Sequence, residues 1–168
     1  MALKNIAKTL QKDRGFKKAM GELAKLSRKP YLKVGVQSDA GIHPEGNFTV
    51  ANIGATQEFG TKVAGKDNKV YIPPRPWLGS TFSEKKQEFE EFQDKLAKLM
   101  LAGKSTLEGL LERLGFKMTS AVKGKISEGD PSWPPLSKAT IEAKGSTKAL
   151  IDTGFLRNKV THVKGFDE

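Results

Sequence analysis

Two stretches of the chain repeat apolar residues at helical spacing. Phe82, Phe89, Phe92, Leu96 and Leu99 step by 7, 3, 4 and 3 along one face. Leu107, Leu110, Leu111, Leu114, Met118, Val122 and Ile126 form a second stripe of the same kind. Thr81-Phe82-Ser83-Glu84 and Ser105-Thr106-Leu107-Glu108 stand near their starts and read as capping boxes, in which a hydroxyl and a Glu satisfy free N–H groups reciprocally. Glu84, Glu88, Glu90, Glu91 and Asp94 come early in the first helix and Lys95 and Lys98 late, which suits its dipole. Gly103 interrupts the run. The pattern fits either an antiparallel pair or one long broken helix.

Upstream, residues 3–28 read as helical, with Leu3, Ile6 and Leu10, then Phe16, Met20 and Leu23, sharing a face. Gly15 and Gly21 weaken that run, and Pro30 ends it for want of an N–H. Residues 31–37 alternate Leu32, Val34 and Val36 with Tyr31, Lys33 and Gly35, as a half-buried strand does. Residues 38–47 are turn-rich. Residues 49–59 predict a short helix capped by Thr49, with Gly60 as a left-handed C-cap. Residues 61–69 are polar and basic and read as an exposed loop. Pro73, Pro74 and Pro76 then force an extended segment, so that 61–78 reads as an extended arm. Trp77 and Trp133 each stand beside a proline run and are expected to be buried. Ser137 caps a short helix through Lys144, and Val160–Val163 is a terminal strand. The expected fold is α+β in a single domain over 1–168: a small, mostly antiparallel sheet packed on long amphipathic helices, with a basic helical segment over 1–29.

Composition narrows the chemistry. Hydrophobic residues make up 37% and charged residues 29%, so a modest core under polar helices is expected. There is no Cys, which removes disulfides, zinc fingers and thiol catalysis. His43 and His162 have no ligand spacing, so neither a metal nor any other cofactor is expected. No apolar run has the length of a membrane span. The net charge is +10, and residues 1–33 hold ten Lys or Arg against Asp13 and Glu22. That pattern fits either a sequence-independent nucleic-acid contact or a solvated basic helix face. No phosphate-binding Gly-Lys-Ser/Thr loop, Gly-x-Ser-x-Gly elbow or His-Glu-x-x-His occurs, and the chain reads as non-enzymatic.

Residues 149–158, ALIDTGFLRN, contain the Asp-Thr-Gly of an aspartic protease. Such enzymes need two carboxylates sharing a proton. Here the motif occurs once, Phe155 follows it, and Arg157 and Lys159 would favour an ionised Asp152. Asp152 reads instead as an Asx-turn or N-cap residue, with Thr153 and Gly154 completing the turn and Leu150, Ile151 and Leu156 anchoring it.

Three segments together carry more than any one. They are ATQEFGTK (55–62), IPPRPWLGSTF (72–82) and WPPLSKATIEAKGSTKALIDTGFLRNKV (133–160). The combination resembles the bacteriophage virion-morphogenesis proteins, the group containing tail-completion and head–tail joining (neck) proteins. Its motif positions here are Glu58, Phe59, Gly60, Pro73, Arg75, Pro76 and Trp77, then Trp133, Pro134 and Pro135, then Asp152, Thr153, Gly154, Leu156 and Arg157. Trp77 replaces the more usual Phe, and Lys159 stands where Ser is common. The block order is closer to the neck-type, minor-tail branch. The resemblance implies a small sheet flanked by helices. It also implies a structural virion protein, made in the host bacterial cytoplasm, that forms a homo-oligomeric, six-fold ring at the neck or tail terminus. Other neck, connector and tail proteins would be its partners, with DNA passing through. Lys62, Lys66, Lys69 and Arg75 are the expected contacts to a neighbouring subunit or to DNA.

Overall fold

The computed structural model describes residues 15–44, 46, 48–65, 67, 69–151 and 153–167. Helix α1 spans Phe16–Ala24 and tightens into a 3-10 turn, Lys25–Arg28. Strand β1 is Pro30–Val36 and helix α2 is Val50–Phe59. Strands β2 (Thr61–Ala64) and β3 (Val70–Ile72) form a hairpin. Helices α3 (Gly79–Glu84), α4 (Lys86–Leu101), α5 (Leu107–Glu128), α6 (Lys138–Lys144) and α7 (Phe155–Asn158) follow, and β4 (Val160–Phe166) ends the order. Seven α-helices and two small antiparallel sheets among the described residues make this an α+β fold.

Helix α5 is the central element, packing against α4, β1 and β4. Its predicted stripe is buried from Leu107 to Ile126, with Met118 half-buried. The first half meets Leu96 and Met100 of α4, and the second half meets Trp77, Trp133 and Val160. β1 and β4 pair in full register, from Pro30 opposite Phe166 to Val36 opposite Val160. Leu32, Val34 and Val36 pack on these clusters, as their alternation predicts. His162 of β4 lies directly on Gly115, where a Cβ would come within 2.3 Å of its ring. Its Nδ1 is 3.3 Å from Thr119 Oγ1 and its Nε2 is 3.3 Å from Glu112 Oε1.

The helix caps differ from the sequence reading. Helix α3 begins at Gly79 rather than at a capping box. Thr81 donates its hydroxyl to Trp77 O at 2.7 Å, and Glu84 pairs with Lys125. At α5 the N-cap is Thr106, one residue beyond the expected Ser105; its hydroxyl accepts from Gly109 N at 3.0 Å. Leu107 N is taken by Glu22 of α1, whose Oε2 accepts at 2.7 Å. That bond draws a carboxylate inside, so α1 buries Ala19 and Glu22; of the predicted face Leu23 packs on the core, while Phe16 and Met20 stay exposed. The bond from Leu107 holds the Glu22 carboxyl below its ordinary value; burial opposes this and Lys25 adds to it.

Ala102–Thr106 is a short connection, and of the two arrangements open to the sequence α4 and α5 form the antiparallel pair. Three further expectations change. Leu99 is exposed and Met100 is buried in its place. Gly60 has φ 71 but an extended ψ of 173, so the chain leaves α2 straight into β2 instead of through a left-handed cap. The stretch read as a loop over 61–69 is therefore largely hairpin. The Leu3, Ile6 and Leu10 reading, Lys66 and the turn at Asp152 fall on residues outside those described.

Candidate functional site

The sequence blocks that carry the resemblance lie far apart in the chain and meet in space. Glu58, at the end of α2, points its carboxylate at the first turn of α3. Oε2 accepts from Leu78 N and Oε1 from Gly79 N, each at 2.8 Å. This caps a helix that has no side-chain cap of its own. One turn earlier, Gly54 lets Trp77 and Leu156 close on the helix backbone; a Cβ there would sit 3.3 Å from each. Trp77 donates its Nε1 to Gly54 O at 3.2 Å and is 3% exposed. Gly60 allows the proline segment to cross: an added Cβ would meet Ile72 O and Pro74 N at 2.8 Å.

Arg75 joins the second block to the third. Its Nε donates to Pro134 O at 3.1 Å and its Nη2 to Pro135 O at 3.3 Å, while its own N donates to Gln57 O at 2.7 Å. Prolines supply carbonyls without competing N–H donors, so the Pro134-Pro135 segment offers acceptors only. Arg75 is 4% exposed, and burial pulls its guanidinium below the ordinary value. Trp133 is buried as expected, although its Nε1 finds no acceptor among the described residues.

The loop carrying Trp133 is held by Asp130. Asp130 takes Lys125 Nζ, and its Oδ1 accepts from Ser132 N at 2.7 Å. Lys125, supported by Ser132, pushes the Asp130 carboxyl far below its ordinary range. Lys125 also reaches Glu84 at 2.8 Å, tying this loop to α3. Arg157 of α7 donates Nη1 to Ser127 Oγ at 3.3 Å and lies over Gly154, which starts α7 at φ 75.

An open cavity of about 650 Å³ lies where these segments converge. Val50, Ile53, Leu136, Leu150, Phe155 and Leu156 form much of its wall, and Gln57, Arg75, Ser137 and Lys144 supply polar groups. The hairpin forms one side through Val70, Tyr71 and Ile72. Among the described residues no Asp or Glu lines it.

The motif residues thus divide. Glu58, Gly60, Arg75, Trp77, Trp133, Pro134, Pro135, Gly154, Leu156 and Arg157 build one junction. Phe59 instead projects outward, 78% exposed, and Thr153 is also exposed. Pro73 is half-buried on the cavity wall, and Pro76 is exposed, its carbonyl accepting from Ser80. Lys62 and Lys69 are exposed on the hairpin. Arg75, grouped with them from sequence, is buried rather than exposed, because the Pro134 and Pro135 carbonyls hold it inside. Sequence reasoning missed Gly54, whose place in the middle of a predicted helix, at some cost in stability, was the available signal. It also missed Glu22 as the cap of a helix 85 residues away, for which no local signal exists.

Comparison with protein-family models, with curated proteins and with solved structures finds no match to this chain.

Proposed function

We propose that the chain is a non-catalytic structural subunit of a bacteriophage virion, located at the neck or tail terminus. Copies close into a ring, six-fold by the resemblance, that completes the tail and joins it to the head, with DNA passing through and other neck, connector and tail proteins above and below. The observation that carries this reading is the convergence of the three sequence blocks. Glu58 holds Leu78 and Gly79, Arg75 holds Pro134 and Pro135, and Leu156 and Trp77 close on Gly54. Residues that carry the resemblance act together as one scaffold, which supports common descent of the fold over chance similarity of short motifs.

The hairpin supports assembly. Val63, Val70 and Tyr71 are 65%, 54% and 60% exposed on two short strands, next to the exposed Phe59. An apolar projection of this kind costs solubility unless something covers it. A contact between this projection and a different face of the next copy is heterologous, and such contacts close into rings when the rotation permits. Native mass spectrometry and negative-stain electron microscopy of the purified chain test this. A closed ring of one stoichiometry is expected, reduced to monomer by Val63→Glu with Tyr71→Glu. A wild-type chain that stays monomeric at every concentration, or forms only a two-fold dimer, would refute the ring.

The net charge of +10 favours a second reading, a nucleic-acid-binding module without sequence specificity. It predicts binding of short duplexes that weakens steeply with salt in the isolated chain, with no need for a ring.

A further inference from the structure

Arg75 is a buried cation with no counter-charge among the described residues. Its Nε and Nη2 go to neutral carbonyls, and its Nη1 donates to no described residue. Carbonyl dipoles offset only part of the cost of desolvating a guanidinium; a carboxylate set on its planar fork offsets far more. The side chain lines a cavity whose volume falls within the roughly 300–1,000 Å³ of ordinary ligand sites. A largely apolar pocket with the Arg75 guanidinium in its wall selects an anion carried on an apolar stem.

We propose that this cavity binds a carboxylate side chain from an acidic, apolar segment of another polypeptide chain. The carboxylate sits on Arg75, and the flanking apolar side chains lie against Ile53, Leu136 and Phe155. The hairpin argues for a polypeptide over a small acid. Val70 and Tyr71 line the cavity yet are more than half exposed, so its apolar surface continues outward past the mouth. A small acid would leave that rim bare, whereas a chain segment covers both the pocket and the rim. The inference goes beyond the ring and does not depend on where in a particle the chain resides, since it uses only a buried charge and the space beside it.

The test is a titration of the full chain followed by NMR at the Arg75 Nε–Hε resonance and at the Ile53, Leu136 and Leu156 methyls. The probes are acetyl-Leu-Glu-Phe-amide, its Gln analogue, and hexanoate. The Glu peptide is expected to shift these signals saturably, with affinity at least tenfold above both the Gln peptide and hexanoate. Equal binding of the Gln peptide would show an apolar groove without charge recognition and overturn the proposal. Tighter binding of hexanoate would make this a small-molecule site and also overturn it, as would no binding at all. Arg75→Lys keeps the charge but loses the fork and should cost at least fivefold in peptide affinity. Should that variant fail to fold, Val70→Trp at the exposed rim carries the test, since it fills the mouth and should weaken binding by a similar factor. Asp152→Asn should leave both the Arg75 resonance and the affinity unchanged. If it shifts that resonance, or creates binding that the wild type lacks, the counter-charge belongs to the chain itself and the proposal falls.

Discussion

Replacing Glu58 with Ala deletes one side chain and leaves two backbone donors at the start of α3 without an acceptor. Both bonds are 2.8 Å long and end on a carboxylate. A bond to a charged partner contributes about 1.5–3 kcal/mol where water is excluded, and less where water can take over. Leu78 is half-buried and Gly79 is exposed, so the first bond counts nearly in full and the second only in part. The sum is about 2–3 kcal/mol. For a chain of this size each kcal/mol lowers the melting temperature by about 2–4 °C, which gives a fall of about 5–10 °C. Glu58→Gln keeps the shape and one acceptor and should fall between Ala and wild type. The assay is urea unfolding by circular dichroism with thermal melts alongside. A second readout separates a junction from a mere helix cap: Trp77 lies between Gly54 and α3, so its emission should shift to the red in Glu58→Ala. A loss below about 0.5 kcal/mol, the size of an ordinary surface change, with unchanged emission would refute the claim that Glu58 holds the junction together.

Other outcomes follow from the same contacts. Gly60→Ala places a Cβ 2.8 Å from backbone atoms of Ile72 and Pro74 at a positive φ, and should cost about 2 kcal/mol or more in urea unfolding. Gly115→Ala would raise stability if helix propensity decided the matter; instead the Cβ must displace His162, so a loss of about 1–3 kcal/mol is expected, with altered His162 ring resonances. Glu22 has a depressed folded pKa, so its contribution is present above its ordinary value of 4.5 and is lost as pH falls through the folded value. Melting temperature should therefore drop on acidification below about pH 4.5, and Glu22→Gln should be less stable at pH 7 yet lose less on acidification. Duplex DNA binding, measured by fluorescence anisotropy, tests the second functional reading: a steep salt dependence in a monomeric chain supports it, and no binding at low salt removes it.

Periodicity read the helical part of the fold well, because burial of α5 and most of α4 is set by local spacing. The stripe from Leu107 to Ile126 is buried as the 3.6-residue repeat requires, and Leu32, Val34 and Val36 face inward as alternation requires. What periodicity could not supply were contacts made across the chain. Phe16 and Met20 look like a core face, but the N–H of Leu107 pulls Glu22 inside and turns α1 accordingly. Thr81 and Glu84 look like a cap, but Glu58 already occupies that helix start. The β2–β3 hairpin has only a few ladder residues and an irregular register, so its polar sequence gives little strand signal. At the junction, the motif residues were legible as a set, but not their pairing. That Arg75 would reach the carbonyls of Pro134 and Pro135, and be buried by doing so, depends on a crossing of segments some 59 residues apart.

Cryo-electron microscopy of purified virus particles from cells that carry this gene tests the central claim most directly. Density for this chain is expected as a closed ring at the junction of head and tail, with the hairpin bearing Val63, Val70 and Tyr71 against the next copy. Particles whose heads and tails are joined and infectious, yet which contain none of this chain by mass spectrometry, would contradict it.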